Sequence, residues 1–538
     1  MVKQYIREWA DCLPRTRRTL FFESDPQGRM YQQLPSELRS VVRRMKPDAW
    51  MVADGEIRVL LFDIRGWERD RVEALHRRIW SADKVRVAGL LEEGGMRFFD
   101  GLRFDAAIRS MPELPQLTAH PERLTRLPRG GGDAKQRARR LLADGVMRAF
   151  DELRGPFTAA SEQGIGVRNW LVNVLFVGWL IDMGFSPDAA LLPGDGTRQR
   201  RRAFGELLGR GGDGLRLLFA AVDRKFDGML LPMGEMPDPE VLRAGGWPER
   251  LARIDLSALP AEVFAGVCRL LTAPPGSRRA GAPFEPERAA ATLVRESVGA
   301  YLQGNPSAEC TVFDPALVSG VFLAQALRQV ADSERRGATF PSERAFLARM
   351  GRLLTDNFTG MAARAEGVRM GALTLYLTLL EEWRTPEVWP EGLPRLAEVV
   401  LLQEADPAER LQRARTARRW WPPRFITGAV EHAERELLLG MHGVMGRHTL
   451  ASLLVPGSLF FGSGGGALRF CRLFRRYYAL LRCRPLFFAG GDGLGSRGAR
   501  PVGVCFRRRR GVCERARRPL SDFIGWPPEI QMLKSYTN

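Results

Sequence analysis

A chain of 538 residues with 45% hydrophobic and 27% charged side chains has length for about two to four domains with cores of their own, and its composition excludes a disordered or fibrous protein. The net charge of +19 is unevenly spread: Leu411 to Pro519 holds 22 arginines, no lysine and five acids, a balance of +17 that leaves the rest near neutral. Such a concentration is the electrostatic footprint of binding to a phosphate backbone. Arginine bias in GC-rich coding sequence, or a shifted reading frame in part of the tail such as GGDGLGSRGARP (490–501) and RRRRG (507–511), is the alternative origin of that tract.

No stretch near the start has a basic region, an apolar centre and a small-residue cleavage site, so a cytoplasmic protein without a secretion signal is expected. The longest apolar run, WLVNVLFVGWLIDMGF (170–185), contains Asn173 and Asp182. It falls short of membrane-spanning length and reads as a buried helix. The seven cysteines (12, 268, 310, 471, 483, 505 and 513) form no CxxC pair, which predicts reduced thiols. Five scattered histidines give no metal-ligand cluster.

In chain order, residues 1–115 read as a small α/β domain. MVADGEIRVLLFDI (51–64), KVRVAGLL (84–91) and GMRFFDGLRF (95–104) are strand-like, with helix-like ERDRVEALHRRIW (68–80) between. PERLTRLPRGGGD (121–133) is the first boundary, and 134–265 reads as a helical connector. TAPPGSRRAGAPFEP (272–286) is the second boundary. Beyond it, 272–538 begins with helix, strand, loop and helix in the order of a parallel α/β unit. The strand ends at Asp314-Pro315 and the next helix starts after Ser319-Gly320.

Several stretches in order carry a resemblance: FDGMLLP (226–232), RRAGAPFEPERAAATLV (278–294), VFDPALVSGVFLAQAL (312–327), FTGMAARAEGVRMGALTLYLTLLEE (358–382), then LASLLVPGSLFF (450–461) and ARPVGVCF (499–506). Together they resemble the adenine-specific DNA methyltransferases of the type IIG restriction–modification and phage-defence kind, over roughly residues 225–506. The resemblance implies a Rossmann-like class I methyltransferase domain using S-adenosylmethionine on double-stranded DNA, with other defence subunits as further partners and no membrane. It places cofactor contacts at Gly281, Phe284, Pro286, Asp314, Pro315, Ser319, Gly320 and Phe322. It also implies a target-recognition domain after the last strand, and the chain ends at Asn538 without an obvious one.

The departures from the pattern fall on chemistry. Leu317-Val318 stand where the family has Cys-Gly, and a β-branched side chain disfavours the close backbone approach a cofactor needs. Glu285 replaces threonine, and Ala362 falls where an acid should hold the ribose hydroxyls. The Asn-Pro-Pro-aromatic catalytic motif is matched in part by RRWWPPRF (418–425): Pro422 and Pro423 agree, while Trp421 and Arg424 replace asparagine and the aromatic. An indole donates a hydrogen bond and cannot accept one, so Trp421 cannot take over the asparagine's role toward an adenine amine. A packed loop is the plainer reading of that stretch.

Near the N-terminus, Pro47-Asp48 and Asp63-Ile64-Arg65 resemble the acidic pair and acidic-x-Lys of restriction-type nucleases. There Asp48 and Asp63 would hold magnesium, with Arg65 a poor substitute for the lysine because guanidinium stays protonated. Two surface acids beside a strand are the alternative. Arg418, Arg419, Arg424, Arg507, Arg508 and Arg509 are the expected DNA contacts. Three functions remain open from sequence: an impaired adenine methyltransferase, a non-catalytic DNA-binding subunit of a restriction or defence system, and a decayed gene product.

Overall fold

A computed structural model describes residues 19–23, 34, 36–53, 56–82, 85–93, 95–101, 137–154, 161–194, 196–226, 228, 230–232, 254–272, 285–305, 310–383, 389–390, 393–396, 400–430, 435–461, 465–485 and 501–508. The chain is mixed α/β and divides into two compact units. One comprises residues 1–222, 231–260 and 385–389; the other comprises 223–230, 261–384 and 390–538.

In the first unit, β1 (Thr19–Glu23), β2 (Ala49–Ala53), β3 (Glu56–Asp63), β4 (Val85–Glu92) and β5 (Gly95–Asp100) form one sheet in sequence order. Its pairings are antiparallel except β3 with β4. A parallel pair needs a crossover, and the helix Arg69–Ala82 supplies it. Trp50, Leu60, Phe62, Ile79 and Ala88 belong to the core beneath the sheet.

The same unit contains the helices Arg137–Arg154, Glu162–Asp182 and Thr197–Arg210. The division expected at 265–272 lies close to the change of unit after Pro260, while the one expected at 115–134 therefore falls inside the first unit. A buried polar network explains why: Arg78 pairs with Asp255 at 3.0 Å, and Asp255 N donates to Ser81 Oγ at 3.0 Å. Arg201 binds Asp182 at 2.5 Å and donates to Ile254 O at 2.9 Å, while Leu256 N donates to Asp182. These bonds tie the helical stretch and residues 254–257 to the crossover helix of the sheet. The helix Glu162–Asp182 is long and apolar enough to cross a membrane, yet most of it is buried within the protein. Asn173 Nδ2 donates to Pro232 O at 3.3 Å.

The second unit holds a seven-stranded sheet in the order β11-β12-β10-β9-β6-β7-β8. Its strands are β6 (Val312–Asp314), β7 (Phe358–Ala362), β8 (Leu401–Gln403), β9 (Phe425–Ala429), β10 (Leu450–Pro456), β11 (Tyr478–Pro485) and β12 (Pro501–Arg508). β6 to β10 pair in parallel, and β12 runs antiparallel to both β10 and β11. The chain starts at β6, runs outward to β8, then returns to β9 on the other side. The strand order thus reverses between β6 and β9.

Helices cover this sheet because its strands are apolar on both faces, as a parallel sheet requires. Phe313, Ile426, Ala451, Leu453 and Phe474 belong to one core cluster. Three helices, Ala261–Thr272, Val321–Gly337 and Ala365–Glu381, share a buried ionic knot. Arg328 donates to both oxygens of Glu262, at 2.7 and 2.9 Å, and pairs with Glu381. Gln325 Nε2 donates to Glu262 at 2.8 Å, and Ala261 N to Glu381 at 2.9 Å. Burial raises the Glu262 carboxyl while Arg328 opposes it.

Candidate functional site

In open parallel sheets ligands bind outside the carboxyl ends of the strands where the order reverses. Here that position is the loop after β6, residues 315–320, which the sequence singled out. Asp314 ends the strand, buried, and its Oδ1 accepts from Ala316 N at 3.0 Å. β9 comes so close that a Cβ on Gly428 would stand 2.4 Å from Asp314 Oδ1.

Gly320 closes the loop at φ +73°, and a Cβ there would meet Gly371 Cα at 2.8 Å. Both the backbone conformation and the close helix approach require glycine. Ser319 is half-buried, while Phe322 and Leu323 are buried on the helix that follows.

The middle of the loop packs downward. Leu317 is buried, and its N–H donates to Met361 O at 2.9 Å. Its Cδ2 lies about where Cβ atoms on Gly360 and Gly371 would crowd it, at 3.1 and 3.0 Å. Val318 is 40% exposed. Ala362, at the end of β7, is fully buried, and its carbonyl accepts from Glu404 N at 2.8 Å.

Arg410 ties two of these loops together. It is 1% exposed, on the helix Pro407–Ala417. Its Nη1 donates to Pro315 O at 3.0 Å, Nε to Glu404 O at 3.0 Å and Nη2 to Ala405 O at 3.1 Å. One guanidinium therefore fastens the loop after β6 to the loop after β8. Sequence reasoning missed it, because a single arginine in an arginine-rich chain carries no mark of burial.

The resemblance implies a carboxylate for a cofactor ribose at the end of β7, where the chain has covered Ala362. In the loop after β6 the N–H groups of Ala316 and Leu317 are committed within the protein. Gly281 and Phe284 lie outside the described residues. Pro286 is in the first turn of the helix Glu285–Val294.

The Trp-Pro-Pro stretch requires a correction. It precedes β9, and its bonds run to segments that lead into strands or to the residues that open them. Arg424 N donates to Thr311 Oγ1 at 2.8 Å ahead of β6, and Thr449 Oγ1 ahead of β10 donates to Pro423 O at 2.5 Å. Arg418 donates to Phe358 O at 2.5 Å, at the first residue of β7, and to Thr355 O at 2.7 Å. Pro422 and Pro423 thus stand at the amino edge of the sheet, opposite Asp314–Gly320, and cannot share a catalytic pocket with that loop. Trp421 packs edge-on against Phe313 at 5.2 Å, and Trp420 stacks on Trp421 at 6.1 Å. Arg418 is likewise withdrawn from any DNA contact by its bonds to the backbone. Arg419, Arg507 and Arg508 are exposed, Arg424 is half-buried, and Arg509 lies outside the described residues.

In the first unit, Asp63 N donates to Asp48 Oδ2 at 2.7 Å. The Asp63 carboxylate takes a two-pronged bond from Arg65, at 2.9 Å from both Nε and Nη2, and that hydrogen bonding holds it below the usual carboxylate range. Arg65 thus neutralises the carboxylate that a divalent ion would need. Among the described residues no three His, Cys, Asp or Glu side chains converge on a common metal position. A cavity of about 400 Å³ opens beside Arg65, between Trp67, Arg69, Glu92 and Arg97.

No family model and no curated protein matches the chain. Among solved structures it is similar to the type IIL restriction–modification enzyme MmeI in complex with DNA, at 13% identity and a TM-score of 0.42, over 68% of this chain and 57% of that one. It is similar to the type IIG restriction endonuclease BpuSI at 11% identity and a TM-score of 0.35, over 91% of this chain and 58% of that one. The type I restriction enzyme EcoKI M protein follows at 13% identity and a TM-score of 0.29, covering 68% and 67%. The chain spans less than three fifths of the length of the first two. Likeness at these scores assigns neither fold nor activity, which rest on the geometry above.

Proposed function

We propose that this chain is a non-catalytic DNA-binding protein of the restriction–modification or phage-defence kind, built on the fold of an adenine-specific DNA methyltransferase. The observation that carries this reading is the crevice after β6: Arg410 ties Pro315 to the loop after β8, Leu317 is buried beneath the loop, and Ala362 offers no carboxylate. The strand order, with one antiparallel strand between β10 and β11, supports descent from a class I methyltransferase domain. The balance of +17 over Leu411–Pro519 supports a nucleic-acid partner. On this reading the chain does not transfer a methyl group from S-adenosylmethionine to the exocyclic amine of adenine.

The test is calorimetric titration of the full chain with S-adenosylmethionine, beside duplex DNA binding over a range of salt. The expected result is no cofactor heat up to millimolar concentration from protein that melts cooperatively, with DNA affinity falling steeply as salt rises. Micromolar cofactor binding together with methyl incorporation into DNA would overturn the non-catalytic reading. Absent or salt-insensitive DNA binding would overturn the partner.

A further inference from the structure

The amino edge of the seven-stranded sheet carries a basic surface that the crevice does not explain. Strand register fixes its layout. Arg507 of β12 lies opposite Leu450 of β10, Leu450 opposite Phe425 of β9, and Phe425 opposite Val312 of β6. Side chains at or just outside that line stand along a single edge. They are Arg507 and Arg508, then Arg447 and His448 ahead of β10, then Arg424 ahead of β9, and farther along the same edge Arg419, whose neighbours Arg418 and Trp420 bond to Phe358 O and Asp356 O at the β7 end. Five of the six are exposed, and Arg424 is half-buried.

Two of these cations are held in place. The Arg424 guanidinium sits 4.6 Å over the ring of Tyr301, and Arg508 Nη1 donates to Met445 O at 3.2 Å. Among the described residues immediately ahead of β6, β7, β9 and β10, the acid is Asp356. It lies at the β7 end, where its carbonyl accepts from Trp420 Nε1. The arginines of the row are positive. His442 nearby is shifted downward, by burial first and then by Arg508.

We infer that this amino edge is a binding surface for the phosphate backbone of duplex DNA, on the side of the sheet opposite the crevice after β6. The inference rests on the proposed DNA-binding reading and adds the surface that does it. β12, β10 and β9 are three adjacent strands, so the row from Arg507 to Arg424 extends about 10 Å. A DNA strand presents one phosphate per roughly 3.4 Å of rise, so about three phosphates face it. Guanidinium forks pair with phosphate oxygens in two-pronged fashion, and phosphate contacts carry no sequence information.

The test uses the full chain and a labelled 30-base-pair duplex of mixed sequence, with anisotropy read from 50 to 200 mM salt. The variant R419A/R447A/R507A removes three exposed charges. The control R198A/R202A/R210A removes three exposed charges from the helix Thr197–Arg210. The edge variant is expected to lose roughly a hundredfold in affinity and to flatten the log–log salt slope by about 3, about one per phosphate contact. The control is expected to bind within threefold of the parent. If the parent binds DNA and the two variants bind alike, the edge assignment is wrong and the DNA-binding reading stands. If the parent itself does not bind, both fail. A parent that prefers single strands tenfold over duplex would overturn the duplex assignment.

Discussion

Arg410 Nη1 donates to the carbonyl oxygen of Pro315 across 3.0 Å, joining residues 95 positions apart at the carboxyl edge of the sheet. The guanidinium is buried and satisfies two further carbonyls, of Glu404 and Ala405. Truncation would leave the buried Pro315 acceptor without a donor, at a cost of about 1–3 kcal/mol, while water can reach the part-buried carbonyls of Glu404 and Ala405. Arg410→Ala is therefore expected to destabilise the second unit by roughly 2–4 kcal/mol, the lost packing of a buried side chain adding to the one buried acceptor. Urea unfolding read by fluorescence measures it. A loss below 1 kcal/mol would mean that the loops after β6 and β8 close without this arginine.

Gly320 makes a sharper test of why the loop keeps part of its glycine pattern. Its φ is +73° and the Gly371 backbone stands 2.8 Å from where a Cβ would be. Backbone cannot swing aside as a side-chain tip can. Gly320→Ala is expected to cost roughly 2–4 kcal/mol, combining left-handed strain with displacement of the helix Ala365–Glu381. Gly212 has nearly the same φ, +74°, and open space around it. Gly212→Ala should cost only about 1 kcal/mol. Equal melting temperatures for the two variants would contradict a packing role for Gly320.

The sequence made some of this legible and hid the rest for physical reasons. Strand, Asp-Pro, Ser-Gly and amphipathic helix are local signals, and residues 312–337 fold accordingly into β6, its loop and the helix Val321–Gly337. The Pro422-Pro423 pair is also a local signal, but its role depends on which neighbouring apolar run becomes a strand. FITGA (425–429) does so, placing the prolines at the edge opposite the crevice. Arg410 and Arg418 look like the exposed arginines around them. Their burial follows from loop carbonyls that meet only after the sheet has formed.

The first unit should carry a pH signature through Asp182. Burial pushes its carboxyl up to about 6, with Arg201 pulling the other way, against an ordinary value of 3.8. Between those values the folded chain keeps a proton that the unfolded chain has released. This contribution is thus fully present below about pH 4 and is lost as pH rises to 6. By linkage it amounts to at most roughly 3 kcal/mol. Asp255, shifted downward, acts in the opposite sense and in a window below its ordinary value, so the two do not cancel. Urea midpoints at pH 4 and 6.5 should fall with pH in the parent and converge in Asp182→Asn. A parent midpoint that rises across that window would refute the assignment to Asp182.

Cysteine chemistry tests the pairing on which the basic edge depends. Burial pushes the thiols of Cys310 and Cys483 up to about 12 and that of Cys505 to about 11, and raises Cys471. Alkylation proceeds through the thiolate, so a protonated, enclosed thiol reacts slowly. Iodoacetamide at pH 8 with mass-spectrometric readout should leave these four unmodified in the native protein and label them in guanidinium. Cys505 is the informative one, because it sits in β12 opposite Ser452 of β10 and Arg482 of β11. Rapid native labelling of Cys505 would mean that β12 is not seated between its neighbours. Arg507 and Arg508 would then not stand in line with Arg447 and Arg424, and the basic row would lose its geometric basis whatever the DNA affinity of the chain.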